Sequence, residues 1–195
     1  QGYDIATVHC GGKKDAVFNL LPDESLQTLG KYCSGCDLVG ISLLTTHQLN
    51  RAVQISNYLK QTVGAKIIWG GVPVICDPRF YLKYSDYVCL GEGETVMKQL
   101  LEGSNPVDIP GLGYRDGDNG IVLNSIPPLL DLNALPIPHL DVEEGYILRN
   151  GELIPIKKEL GRLIRYSILS VKGSPYSCSY SLNSRLKKLF SKKGP

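Results

Sequence analysis

The stretch Leu38-Val39-Gly40-Ile41-Ser42-Leu43 and its counterpart Lys66-Ile67-Ile68-Trp69-Gly70-Gly71 decide how this chain folds. Each is a short, nearly continuous apolar run that stops at small residues, the pattern of a strand buried on both faces. Between them, residues 49–63 place Val53, Ile55, Leu59 and Val63 at near-helical spacing with polar residues interleaved, and Gly64 supplies the stop. A strand, a helix and a strand joined by short loops form a right-handed βαβ unit, and so a parallel sheet.

The alternation continues on both sides of this unit. Tyr87-Val88-Cys89-Leu90 predicts a further strand, followed by Gly91-Glu92-Gly93-Glu94 and a helix over 95–102. A short helix is expected over 77–84. Upstream, residues 23–29 open an amphipathic helix that stops near Gly35, and Ile5–Val8 reads as a strand ending in His9-Cys10-Gly11-Gly12. After Gly103 the pattern changes. Gly113-Tyr114-Arg115, a Gly-rich turn over 116–120 and Ile121-Val122-Leu123 predict a β-hairpin. Pro127, Pro128, Pro136 and Pro138 then mark an extended connector, and residues 184–193 suit a short basic helix. Three regions result: an α/β domain over 1–105, hairpin and connector over 106–160, and the start of another domain over 161–195.

Composition bounds the rest. With 43% hydrophobic and 21% charged residues in 195, a globular core is affordable and general disorder is excluded. No apolar run approaches the roughly 18 residues that span a bilayer, and the N-terminus lacks the layout of a secretion signal. A chain that opens Gln1-Gly2 without Met reads as a trimmed piece. The net charge of +2 hides an asymmetry: ten of the 21 Lys and Arg lie from Lys157 onward, against one acid there, Glu159. Such a tail suits nucleic acid or an anionic membrane. The plainer reading, a piece of a larger domain, is preferred. The six cysteines are scattered, and Cys10, Cys76 and Cys89 sit in apolar runs, as free thiols of a reducing cytoplasm do. Cys33 and Cys36 form one C-x2-C pair without the second pair that structural zinc needs.

Open parallel sheets bind ligands beyond the carboxyl ends of their strands. Three loops leave strands at that edge and are rich in small residues: Ser42-Leu43-Leu44-Thr45-Thr46, Gly70-Gly71-Val72-Pro73 and Gly91-Glu92-Gly93-Glu94. Glycine admits a ligand close to the backbone, and helix N-termini offer N–H groups to phosphate or amide oxygens. Glu92 and Glu94 could serve as an acid/base pair, although glutamates opening a helix also answer its dipole. His47 stands near this edge, His139 lies in the connector, and Trp69 suits the sheet core.

These motifs resemble the cobalamin-binding domain, which carries S-x-L after one strand and Gly-Gly after the next; Ser42-Leu43-Leu44 and Gly70-Gly71 flank residues 45–69 in that way. The variant fused ahead of radical S-adenosylmethionine (SAM) domains has G-E-G-E after the following strand, matched by Gly91 to Glu94. An I-P-G hairpin comes next, matched from Ile109-Pro110-Gly111, and then a Pro-rich connector to a cluster loop. Here that loop is Gly173-Ser174-Pro175-Tyr176-Ser177-Cys178-Ser179-Tyr180-Ser181-Leu182-Asn183, directly after a β-like run over 164–171. Cysteine at 174 and 181 would make it the C-x3-C-x2-C frame of radical SAM enzymes.

The resemblance implies a flavodoxin-like (Rossmann-like) open parallel sheet with flanking helices. It implies cobalamin as cofactor, with Ser42, Leu44, Thr45, Gly70, Gly71, Val72, Gly91, Glu92, Gly93 and Glu94 lining the slot for its nucleotide tail. Of the metal positions only Cys178 carries a thiolate donor; Ser174 and Ser181 hold the other two. Since clusters are held by thiolates, the [4Fe–4S] cluster and SAM belong to the parent family and are not expected on this chain. The parent reaction would be radical methyl transfer or oxidative cyclisation, and this piece is expected to be inactive, its partners being the cofactor and the rest of a radical SAM barrel.

Two departures stand out. Thr7-Val8-His9-Cys10-Gly11-Gly12 approaches the D-x-H-x2-G motif whose histidine ligates cobalt, but too few residues separate it from Ser42, so His9 is taken as a loop histidine. Ile5–Val8 aligns with the family's second strand, which leaves the first, central strand missing; Ile5–Val8, another segment or another subunit is expected to fill that place. Two other classes remain open: a non-catalytic interaction module, and a flavodoxin-like binder of another phosphate-bearing cofactor.

Overall fold

The computed structural model describes residues 5–10, 20–117, 120–135, 145–160 and 176–191. Strand β2 (Leu38–Ser42) pairs in parallel with β3 (Lys66–Gly70), and β3 with β4 (Tyr87–Cys89). The hairpin β5 (Leu112–Arg115) and β6 (Ile121–Leu123) extends the sheet antiparallel to β4, giving the order β2-β3-β4-β5-β6. The expected α/β class is what the chain adopts, with the predicted hairpin as part of the same sheet.

Helices cover both faces because β3 is apolar at every interior position. Ile67 and Trp69 point to one side, where they meet Ala52 and Leu59 of α2 (Leu49–Thr62). Val74 of α3 (Val72–Cys76) and Tyr81 of α4 (Pro78–Tyr81) join that cluster. Ile68 points to the other side, against Val96 of α5 (Gly93–Leu101) and against Ile109 and Leu112. Trp69 is fully buried, stacks on Tyr84 and donates its Nε1–H to the buried Ser56 hydroxyl at 2.8 Å. The indole thereby satisfies its one polar atom inside the core.

Local signals explain most element ends. Helix α1 (Asp23–Tyr32) opens with Asp23 and Glu24 in its first turn, where carboxylates answer the helix dipole, and buries Leu26 and Leu29. Helix α2 follows a turn over Thr46–Gln48 in which Thr45 and Gln48 form a capping box. The helix expected over 77–84 is α4, and α3 precedes it as a helix the sequence reading did not foresee. Pro73 sits in the first turn of α3, where its missing N–H costs nothing. Read along the sequence, the same proline belongs to the loop that closes β3.

The connector holds a second hairpin, β7 (Gly145–Arg149) and β8 (Glu152–Pro155), leading into the one-turn helix α6 (Ile156–Leu160). Asn150 and Gly151 take φ of 51° and 78°, the conformation of a two-residue type I′ turn. Thr28 Oγ1 donates to the Gly151 carbonyl at 2.6 Å and so fixes this hairpin to α1.

Ile5–Val8 does not take the central place expected for it. The first strand is β1 (Thr7–Cys10), and it pairs in parallel with β7 in a separate three-stranded sheet, order β1-β7-β8. The central place beside β2 is not filled by any described residue, and β2 is an end strand. The pattern of β1 explains this. Val8 and Cys10 pack on Leu21, Leu26, Leu29 and Leu148, while Thr7 and His9 are exposed. A strand with one polar face suits a one-sided sheet, whereas the centre of a parallel sheet would bury both faces. Arg51 of α2 donates to the Cys10 carbonyl at 3.1 Å and holds β1 in its place.

No described helix is long and apolar enough to cross a membrane. Because Trp69 and Ser56 satisfy each other out of water, Ser56→Ala strands a buried indole N–H. It is expected to cost about 1–3 kcal/mol, read as a lowered urea midpoint; an unchanged midpoint would show that the bond contributes nothing.

Candidate functional site

Parallel register sets Ser42 beside Gly70, and Trp69 beside Val88, so the carboxyl ends of β2, β3 and β4 come level. A cleft of about 500 Å³ opens beyond them. Its floor is Gly40, Ile41 and Ser42 of β2, Ile68 and Gly70 of β3, and Cys89 of β4. Gly71, Val72 and Ile75 form one side, and Gly91, Glu92, Gly93, Glu94 and Met97 the other. Leu129 of the connector, and Leu186 and Phe190 of the C-terminal helix α7 (Leu182–Ser191), complete the wall.

Two glycines have different physical reasons. Gly71 has φ 101°, which L-residues avoid, and a Cβ there would collide with the Leu43 carbonyl oxygen. Leu43 N–H donates to the Gly70 carbonyl at 2.9 Å, so the two strand-end loops lie against each other through backbone alone. Gly93 is the opposite case: a Cβ would meet no atom within 4 Å. Small residues thus keep the wall open at one point and lock the backbone at another.

Of the sequence-predicted residues, Ser42, Gly70, Gly71, Val72, Gly91, Glu92, Gly93 and Glu94 come together around the cleft. Leu44 and Thr45 do not. Leu44 is 74% exposed, and both N–H groups are taken by Gln48 Oε1, at 2.8 and 3.3 Å, which curls this loop back on itself. Glu92 stands at the N-cap position of α5 without a side-chain capping bond, and it accepts the Leu130 N–H at 2.8 Å, fastening the connector to the rim. Sequence reading missed Ile75, Met97, Leu129, Leu186 and Phe190. The apolar spacing of Leu182, Leu186, Leu189 and Phe190 announces an apolar helix face, but says nothing of where it lands.

The cleft's charge is one-sided. Glu92 and Glu94 are the only charged residues in its lining, and no lysine or arginine faces it among the described residues. Burial pushes the Cys89 thiol up, and its Sγ–H donates to the Gly91 carbonyl at 3.5 Å, so it stays protonated at neutral pH. The Cys33 thiol is likewise pushed up to about 11, by burial first and then by the neighbouring Cys36 and Cys10.

His9 is exposed on β1, and neither it nor His47 lines the cleft. Ser174 and His139 lie outside the described residues. Cys178 is half-buried in the turn before α7. Ser181 caps that helix, its Oγ accepting the Asn183 N–H at 3.3 Å, a common use of serine at a helix start. Among the described residues no group of three His, Cys, Asp or Glu could hold a metal ion.

Comparison with known proteins bears on this cleft. Residues 17–101 match the family model of the B12 binding domain. These residues span β2 to β4 and supply all of the floor. Two similar solved structures are the radical S-adenosylmethionine methyltransferase TsrM from Kitasatospora setae and the cobalamin-dependent S-adenosylmethionine radical enzyme OxsB with aqua-cobalamin bound. The first is 21% identical, with a TM-score of 0.47, over 53% of this chain and 22% of that one. The second is 20% identical, with a TM-score of 0.45, over 53% of this chain and 16% of that one. This chain therefore spans about a fifth of their length, and likeness at that level carries nothing about a reaction. No curated protein matches the chain.

Two outcomes follow from the geometry. Gly71→Ala is expected to cost roughly 2–5 kcal/mol through positive φ and overpacking, whereas Gly93→Ala should leave the thermal midpoint within a degree or two; equal effects would refute the backbone lock. Iodoacetamide attack on Cys33, followed by mass mapping, should quicken about tenfold per pH unit between about pH 8 and pH 10. A rate already level there would mean the thiol is not held protonated.

Proposed function

We propose that the carboxyl-edge cleft binds the nucleotide tail of cobalamin, and that this chain is the cobalamin-binding region of a radical SAM protein. The observation that carries the reading is the cleft itself: small residues at three strand ends, in the segment that matches the B12 binding domain, leave an apolar hollow floored by backbone. The residues fit the group. Gly93 leaves space where any side chain would intrude, and backbone N–H groups at the start of α5 face the rim to receive amide or phosphodiester oxygens.

In this reading Gly70, Gly71 and Gly93 shape the slot, Ser42 offers a hydroxyl at its floor, and Ile68, Ile75 and Met97 exclude water from it. Glu92 acts through Leu130 and holds the connector against the opening. Bound cobalamin would supply methyl transfer or redox chemistry in the longer parent. This chain is read as inactive alone, because a [4Fe–4S] cluster is normally held by cysteine thiolates and two of the three frame positions, Ser174 and Ser181, carry hydroxyls.

The charge of the lining argues against the main rival. A nucleotide or flavin phosphate is a dianion and is usually met by cations or a full helix N-terminus. The two carboxylates in the lining disfavour a dianion more than a phosphodiester tail, which carries a single charge. A protein-interaction module remains the outcome if no cofactor binds.

Titration of hydroxocobalamin into the protein, followed by absorbance, is expected to give a saturable change in the micromolar range. Gly93→Leu should weaken it at least tenfold with the circular dichroism unchanged, and flavin mononucleotide should give none. A flat titration, or one that Gly93→Leu leaves alone, overturns the cofactor reading. Anaerobic reconstitution with iron and sulfide separately tests the inactivity: the chain should gain no cluster absorbance, while Ser174→Cys with Ser181→Cys should gain it.

A further inference from the structure

Helix α7 packs on α3, and the two residues it turns inward, Leu186 and Phe190, stand in the wall of the cleft. They lie one helical turn apart, as do the anchors of a helix held in a groove. Leu189 beside them is half-buried, while Arg185, Lys187 and Lys188 on the other side are exposed. Arg185 reaches close enough to Cys76, the last residue of α3, to offset part of the upward push that burial gives its thiol. One apolar stripe, one basic stripe and a serine cap make α7 an amphipathic helix that has found a matching trough.

Size turns this packing into a constraint. Pockets of roughly 300–1,000 Å³ take drug-sized ligands, and the cleft as α7 walls it holds about 500 Å³. A corrin ring with its nucleotide tail is much larger than such a ligand. If the tail enters the slot, the remainder lies across the mouth, where Leu186 and Phe190 already stand.

We infer that the cleft is a helix-in-groove site filled by the chain's own α7, and that cobalamin and α7 exclude each other at its mouth. The competition half rests on the cobalamin reading; the groove half does not. The groove takes an amphipathic helix with apolar anchors four residues apart. Release of α7 is thus the step that admits the ring.

The test uses the full chain with Leu186→Glu and Phe190→Glu together, and Phe190→Ala as a milder variant. Displacing α7 removes the helix packed against α3, at whose end the half-buried Cys76 stands, so iodoacetamide labelling of Cys76, mapped by mass, is expected to quicken at least tenfold in the double variant and about threefold in the single one. The hydroxocobalamin midpoint should fall at least fivefold in the double variant. Lys188→Glu, on the exposed side, should change neither, and a synthetic peptide of residues 181–191 should slow Cys76 labelling in the double variant again. Unchanged Cys76 labelling overturns the groove. Faster labelling with an unchanged or weaker cobalamin midpoint overturns the competition and makes α7 a wall of the binding site. If hydroxocobalamin binds to none of these proteins, the cobalamin reading and the competition fall together, and Cys76 and the peptide alone decide the groove.

Discussion

Residue 71 has no room for a Cβ, and much of the cleft depends on that. With φ at 101°, the chain leaves β3 at an angle open only to glycine, passes against the Leu43 carbonyl and turns at once into α3. A side chain there would push the two loops apart and swing α3 off its seat on Trp69 and Val88. The hollow exists because two backbones touch without side chains between them. The full burial of Trp69 beneath the same loops then makes the arrangement stiff.

Much of this was legible beforehand, for physical reasons that differ by element. The runs 38–43 and 66–71 announce themselves because strands buried on both faces have no polar positions to confuse the pattern, and the loops after them lie level because parallel register puts them there. The hairpin at 145–155 carried one of the strongest short-range turn signals, Asn150-Gly151, yet its flanks sit beside Pro136, Pro138 and Pro155, and the prolines dominated the reading. Helix α3 was hidden for a related reason: Pro73 stops a helix in its interior and starts one in its first turn, and the sequence alone does not say which. The place of β1 could have been anticipated from Thr7 and His9, which forbid the centre of a two-sided sheet. The docking of α7 could not, since an apolar stripe specifies that a helix is covered and not by what.

The cleft also shows how charge narrows a choice that shape leaves open. Sheet edges of this kind serve many cofactors, and glycine-rich loops are common to them all. What singles out this one is that Glu92 and Glu94 are the charged residues in its lining among the described residues. One of the two is committed to structure, since Glu92 holds the connector through Leu130. A guest must therefore tolerate negative neighbours and gain its affinity from apolar surface and backbone amides.

Ser181 carries a consequence of its own. At that position the hydroxyl starts α7, a service for which cysteine is not among the favoured residues, and the loss of such a cap is typically worth about 1 kcal/mol. The start of α7 thereby rests on a bond between backbone and hydroxyl that needs nothing from outside the chain. A Ser181→Cys change would weaken this cap, and with it the hold of Leu186 and Phe190 on the cleft wall.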